Sequence, residues 1–154
     1  MEVACDQPFA RVDLRAANAS ERVQWQWYLT DVPVETIRQV IDVCPDAEWR
    51  LIVALSRFAG LRCLSEHLAL NWEDILWDKQ RFVVRSCKTE HHGKAYRVVP
   101  IFPELRPYLE ECDELAQPGS VWVIGRNRNA TMPNGIGVNW RTQFLRLLKR
   151  AGVG

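Results

Sequence analysis

The first sustained pattern of apolar positions begins after Asp31. Val34, Ile37, Ile41 and Cys44 recur every three or four residues, which places them on one stripe of a helix. Pro33 suits the opening turn, and Glu35 complements the positive end of the helix dipole. Pro45 interrupts the pattern, and Asp46 is placed to cap a second helix through its side-chain oxygen. From Trp49 to Phe58 the apolar residues surround the axis, which predicts a central, buried helix, ended at Gly60 by a left-handed residue. A short helix over about 62–70 follows, with Leu61, Leu64 and Leu68 facing inward.

The texture then changes. Ile75 to Trp77, Phe82 to Cys87 and Ala95 to Ile101 are short β-rich runs separated by Asp78-Lys79-Gln80 and by the segment around Gly93, the pattern of a three-stranded antiparallel meander. Pro103 opens a helix carrying Leu105, Tyr108, Leu109, Cys112 and Leu115, stopped by Pro118-Gly119. Val121 to Ile124 reads as a brief strand, and Arg126 to Gly137 as a polar loop. Val138 to Ala151 reads as an amphipathic helix that buries Trp140, Phe144, Leu147 and Leu148. The fold class expected is α+β: a mainly helical body with a three-stranded antiparallel β-meander. Residues 1–30 lack periodicity and read as a linker or domain edge, leaving 31–154 as the folded unit.

Composition narrows the class. The 154 residues are 47% apolar and 25% charged, enough for one domain with a core and unlike a disordered or low-complexity chain. The start lacks a basic, then apolar, signal segment, and no apolar run approaches a bilayer span, so a cytoplasmic protein with no membrane partner is expected. Five scattered cysteines without a Cys-x-x-Cys pair or spaced histidines predict reduced, mostly buried thiols and no metal site. The net charge of +1 hides an asymmetry. Residues 1–114 hold 14 basic against 19 acidic side chains, whereas 115–154 hold 6 basic and no acidic ones.

Two ordered segments carry more. Ala59-Gly60-Leu61-Arg62-Cys63-Leu64-Ser65-Glu66-His67-Leu68-Ala69-Leu70-Asn71-Trp72-Glu73-Asp74-Ile75 resembles the first box of the tyrosine recombinases, the phage-integrase family. Lys88-Thr89-Glu90-His91-His92-Gly93-Lys94-Ala95-Tyr96-Arg97-Val98-Val99-Pro100-Ile101 resembles that family's β-hairpin. The likeness spans about 33–154, and implies that this stretch is the leading portion of an integrase catalytic domain. In that family a tyrosine attacks a DNA phosphate to give a 3′-phosphotyrosyl intermediate, with neither metal nor nucleotide cofactor. Cationic side chains must then balance charge on the nonbridging oxygens, a task suited to a guanidinium. Arg62 carries over as that arginine. Lys88 carries over as the general acid for the leaving 5′-oxygen, a role typically worth about 10²–10⁴-fold.

Each residue has a second reading. Arg62 can instead satisfy carbonyls at a helix end. Lys94 competes with Lys88. Glu66 matches a supporting acid, although it stands four residues after the arginine where many members have three. Arg97 suits either a structural salt bridge or a phosphate contact. His91 and His92 fit proximity to DNA better than a metal. Arg141 and Lys149, on the last helix, suit either a solvated face or the DNA backbone.

No His-x-x-Arg occurs in the 154 residues, and Tyr28, Tyr96 and Tyr108 all fall at the wrong points in the order to be nucleophiles. The resemblance thus implies a DNA strand transferase as the parent, homo-oligomeric on double-stranded DNA. These 154 residues alone are expected to be monomeric, to bind DNA weakly and to be inactive. A type IB topoisomerase, a non-catalytic DNA-binding or regulatory remnant, and a helical interaction domain are the alternatives.

Overall fold

The computed structural model describes residues 32–62, 65–85, 95–131 and 139–153. Nearly all of these belong to one compact unit, Val34–Gly154. The linker expected over 1–30 lies outside the described residues.

Helix α1 (Val34–Asp42) buries Val40 and Ile41 and half-buries Ile37, and Cys44 follows on the same stripe. Asp46 caps helix α2 (Ala47–Phe58), its Oδ1 accepting from the Trp49 amide at 2.8 Å. As the pattern predicts, α2 is central: Leu51, Ala54 and Leu55 are wholly buried, and it packs against α1 and against helix α4 (Arg106–Glu114). Arg50 of α2 joins Glu111 of α4 through Nε–Oε2 at 3.1 Å and Nη2–Oε1 at 2.5 Å. Gly60 ends the α2 segment at φ +62°, a region that L side chains rarely adopt.

The helix expected over 62–70 is shorter, α3 (Ser65–Leu68). Its buried residues are the polar Glu66 and His67, while Leu68 is only half-buried and Leu64 lies outside the described residues. A 3₁₀ turn (Trp72–Asp74) leads into the sheet, β1 (Ile75–Leu76), β2 (Arg81–Arg85) and β3 (Tyr96–Pro100), antiparallel in the order β1-β2-β3. This is the expected meander: β1 stops at Leu76, β2 starts at Arg81 and β3 spans Tyr96–Pro100, while Cys87 lies outside the described residues. Trp77 belongs to the 3₁₀ turn Trp77–Lys79, and Gln80 takes a left-handed φ of 50° to close it. Phe82 pairs with Val99 and Val84 with Arg97, so one face presents Phe82, Val84 and Val99 to the core with Arg97 alongside them.

Four further expectations are corrected. Leu115 is 69% exposed, because α4 ends at Glu114 and the following turn carries the chain away. Val121 to Ile124 is not a strand. It forms one bridge, Asn71 to Trp122, with bonds from the Trp72 amide to the Val121 carbonyl and from the Val123 amide to the Leu70 carbonyl. The polar loop from Arg126 begins instead as helix α5 (Arg126–Thr131). Helix α6 (Trp140–Arg150) is capped by Asn139 and buries Trp140 and Leu147, with Trp140 tilted against Trp49 at 5.1 Å between ring centroids. Phe144, expected inside, is 40% exposed because this narrow stripe is the part of α6 that meets the body.

Cys44 and Cys112 are buried free thiols, and burial is the main force that pushes them up to about 11 and about 12, so neither is a thiolate near neutral pH. Cys5, Cys63 and Cys87 lie outside the described residues. Among the described residues no helix is long and apolar enough to cross a membrane, and no group of three acidic, His or Cys side chains is placed to hold a metal ion.

Candidate functional site

Where α2 ends, the chain must turn, and the turn exposes backbone groups that need partners. The Ala59 and Leu61 amides both return to the Leu55 carbonyl, at 3.1 and 3.3 Å. The Gly60 carbonyl accepts from Arg97 Nη2 at 3.3 Å. Arg62 is the next residue, and both of its backbone groups are held by side chains from α3. Glu66 Oε2 accepts from the Arg62 amide at 2.8 Å, and His67 Nδ1 contacts the Arg62 carbonyl at 3.1 Å.

Glu66 is itself fixed. Arg97 reaches from β3 with both ends of its guanidinium, Nη1 to Oε1 and Nη2 to Oε2, each at 2.8 Å. The Glu66 side chain is 1% exposed and that of Arg97 40%, so the carboxylate is enclosed while the arginine reaches solvent. Bidentate, charge-assisted pairing of this kind fixes orientation as well as adding energy. Of the two readings open for Arg97, the salt bridge is the one seen here. The four-residue spacing between Arg62 and Glu66 is what the geometry uses, since the carboxylate reaches back one turn to the Arg62 amide.

The side chain of Arg62 is treated differently. It is exposed and makes no hydrogen bond or ion pair with the described residues. The helix-end reading for it therefore fails, because Leu61 and Arg97 perform that service. Around a guanidinium without a partner among the described residues stand a pinned backbone, an enclosed carboxylate paired with Arg97, and a buried histidine.

His67 was not singled out by the sequence reading, because a histidine among leucines on a short helix looks like an ordinary core position. It is 1% exposed, with Nε2 3.0 Å from Ser56 Oγ and 3.2 Å from the Ile52 carbonyl, both on α2. Burial holds its imidazole below the ordinary value of 6.5, outweighing the Arg62 and Ile52 carbonyls and Glu66, which pull it up. The unfolded chain therefore takes up this proton first as pH falls. Stability contributed by neutral His67 is complete above about pH 6.5 and is lost as pH drops toward the folded value, with a slope approaching about 1.4 kcal/mol per pH unit. Urea unfolding at a series of pH values is expected to show this slope, and His67→Asn to flatten it. An unchanged slope in the variant would assign it to other groups.

The remaining candidates are distributed more widely. Lys88, Lys94, His91 and His92 lie outside the described residues. The last described pair of the hairpin is Arg85 with Tyr96, and Arg85 Nη2 is held at 2.8 Å by Asp74, whose side chain is 6% exposed. Arg141 and Lys149 are both exposed on α6, eight positions or about 12 Å apart along its axis. Among the described residues no hydrogen bond or ion pair joins either to the Arg62 cluster. Lys149 lines a cleft of about 540 Å³ with Arg146 and Arg150 over Pro45, Trp49 and Leu147. The structure thus brings Arg62, Glu66 and Arg97 together, and leaves Arg141 and Lys149 on a separate element.

No known protein-family profile and no curated protein sequence matches this chain.

Proposed function

We propose that this chain carries the leading part of a tyrosine-recombinase-type catalytic domain, and that Arg62 is a phosphate-binding arginine for double-stranded DNA. The observation that carries this reading is the contrast within one residue: the backbone of Arg62 is clamped on both sides while its guanidinium makes no hydrogen bond or ion pair with the described residues. A side chain serving only the fold would be spent on the fold. A permanently charged, planar group on a fixed base is suited to the nonbridging oxygens of a phosphodiester.

The base of the hairpin supports the same reading. Arg97, two positions beyond the Lys88–Ala95 segment, is bound to the carboxylate that holds the Arg62 amide, so the strand returning from that segment is tied to the arginine turn. In this reading Lys88 is the general acid, Glu66 and Arg97 set the arginine's base, and Lys94, His91, His92, Arg141 and Lys149 face the DNA. The parent cuts and rejoins DNA through a phosphotyrosyl intermediate, without a cofactor. The 154 residues bind duplex DNA weakly, without sequence preference, and form no covalent adduct.

The test is fluorescence anisotropy of the 154-residue chain with a labelled duplex across a salt series. Arg62→Gln is expected to weaken binding about tenfold at low salt, the loss of one charge-assisted contact, and to reduce the slope of log K against log salt by about one. Binding that is indifferent to Arg62→Gln sinks the proposal. A covalent adduct on Tyr28, Tyr96 or Tyr108 would overturn the assignment of those residues as bystanders.

A further inference from the structure

The two ring nitrogens of His67 face different elements. Each nitrogen lies against a carbonyl that can only accept, Nδ1 against Arg62 at 3.1 Å and Nε2 against Ile52 at 3.2 Å. Only Nε2 also has a hydroxyl, Ser56 Oγ at 3.0 Å, that can donate to it, so both nitrogens are satisfied when the proton of the neutral ring sits on Nδ1. Nε2 lies against Ser56 Oγ, whose hydroxyl is also 2.9 Å from the Ile52 carbonyl. The serine has one proton to share between Nε2 and that carbonyl. The ring therefore spans α2 and the arginine turn, one nitrogen to each, with His67 itself 1% exposed.

Among the described residues, the charged groups about the ring are Glu66 and, through it, Arg97. Glu66, beside His67 on α3, is turned to the Arg62 amide and to Arg97, and Arg97 comes from β3. On α2 the facing groups are the Ser56 hydroxyl and the Ile52 carbonyl. The Glu66 carboxylate thus secures the amide side of Arg62, and the imidazole at 3.1 Å, with the longer Glu66 amide bond at 3.4 Å, its carbonyl side.

We propose that His67 is a positioning residue for Arg62: through Nδ1–H it fixes the peptide group that follows the arginine and ties it to Ser56 and Ile52 of α2, so that the guanidinium meets DNA phosphate from a set base. This deepens the reading of Arg62 as a phosphate ligand and rests on it. His67 does not touch the DNA, and its influence passes through Arg62 alone.

Three measurements on the 154-residue chain test it. Ring ¹⁵N shifts by NMR at pH 7.5 are expected to show the Nδ1-protonated tautomer, and the Nε2–H tautomer would overturn the proposal without any mutation. His67→Asn, whose amide can still donate toward the Arg62 carbonyl, is expected to keep duplex affinity within about twofold, whereas His67→Leu is expected to lose about fivefold. Equal affinity of the leucine variant and the unmodified chain overturns the proposal. In a double-mutant cycle, His67→Leu is expected to add nothing once Arg62→Gln is present, because the residue it positions is gone. A further fivefold loss there would show that His67 acts elsewhere. If Arg62→Gln alone changes nothing, the phosphate reading has failed. If Arg62→Gln weakens binding and His67→Leu does not, only the positioning role has.

Discussion

Replacing Arg97 with leucine is expected to destabilise the domain by roughly 3 kcal/mol and lower its Tm by roughly 10 °C, a larger loss than Glu66→Gln causes. The asymmetry follows from where each partner sits. The Glu66 side chain is 1% exposed, so removing Arg97 takes both guanidinium bonds from a carboxylate that water cannot reach. Removing the charge from Glu66 instead leaves a guanidinium that is 40% exposed and can turn into solvent. That change should cost about 1–2 kcal/mol, chiefly in weakened bonds to Arg97 and the Arg62 amide. The double variant is expected to be more stable than Arg97→Leu alone, since the enclosed charge that Arg97 balanced is gone. Chemical denaturation of the four proteins measures the cycle. A double variant less stable than Arg97→Leu would mean that the ion pair is not what encloses the carboxylate.

The same pair has a functional consequence. Arg97 bonds the Gly60 carbonyl as well as Glu66, and Glu66 bonds the Arg62 amide, so one guanidinium holds two successive parts of the arginine turn to β3. A loss of DNA affinity in Arg97→Leu is therefore expected to track the Arg62 contact, through displacement of its base.

Much of this was legible in the chain, and the exceptions share a cause. The stripe of Val34, Ile37, Ile41 and Cys44, the Asp46 cap, the buried Trp49–Phe58 helix, the Gly60 stop and the order of three strands are local features. Each depends on spacing or on one residue's backbone preference, so each can be read from neighbours in sequence. The failures are tertiary. Phe144 occupies an apolar position on an amphipathic helix whose pattern does not say how wide a stripe the body will cover, Leu115 falls just past the end of α4, and both are exposed. Val121 to Ile124 has strand-like composition, yet only Trp122 finds a bridging partner, in Asn71 some fifty residues earlier. At the site, Arg62, Glu66 and Arg97 are each singled out by two motifs, but nothing in the sequence says that Glu66 joins Arg97 to the Arg62 amide. His67 gave no signal, because a buried histidine is distinguished only by which oxygens surround it, and those come from Ile52, Ser56 and Arg62.

A distant residue decides the local structure of α5. Arg126-Asn127-Arg128-Asn129-Ala130-Thr131, six residues long, is too short to be helical alone. Glu48, in the first turn of α2, supplies what it lacks. Its Oε1 accepts from the amides of Gly125 and Arg126 at 2.9 and 2.8 Å, and its Oε2 from the amide and side chain of Asn127 at 2.9 and 2.7 Å. One carboxylate thus satisfies three amides at the start of α5 and places a negative charge at the positive end of its dipole. Arg128 then stacks on Trp122, 3.6 Å from the ring centroid, and donates to the Leu68 carbonyl at the end of α3. Glu48→Ala is expected to cost roughly 2–3 kcal/mol, more than an ordinary cap because several charge-assisted bonds are lost together. Glu48→Gln, which keeps one acceptor oxygen, should lose about half of that. Hydrogen exchange locates the effect: amides 125–128 are expected to lose protection in Glu48→Ala before those of α2 do. Because Arg128 leans on the end of α3, loosening α5 should also reach Glu66 and His67 and weaken duplex binding modestly. Full protection of amides 125–128 in Glu48→Ala would mean that α5 stands without its carboxylate, and that the order of this segment has another source.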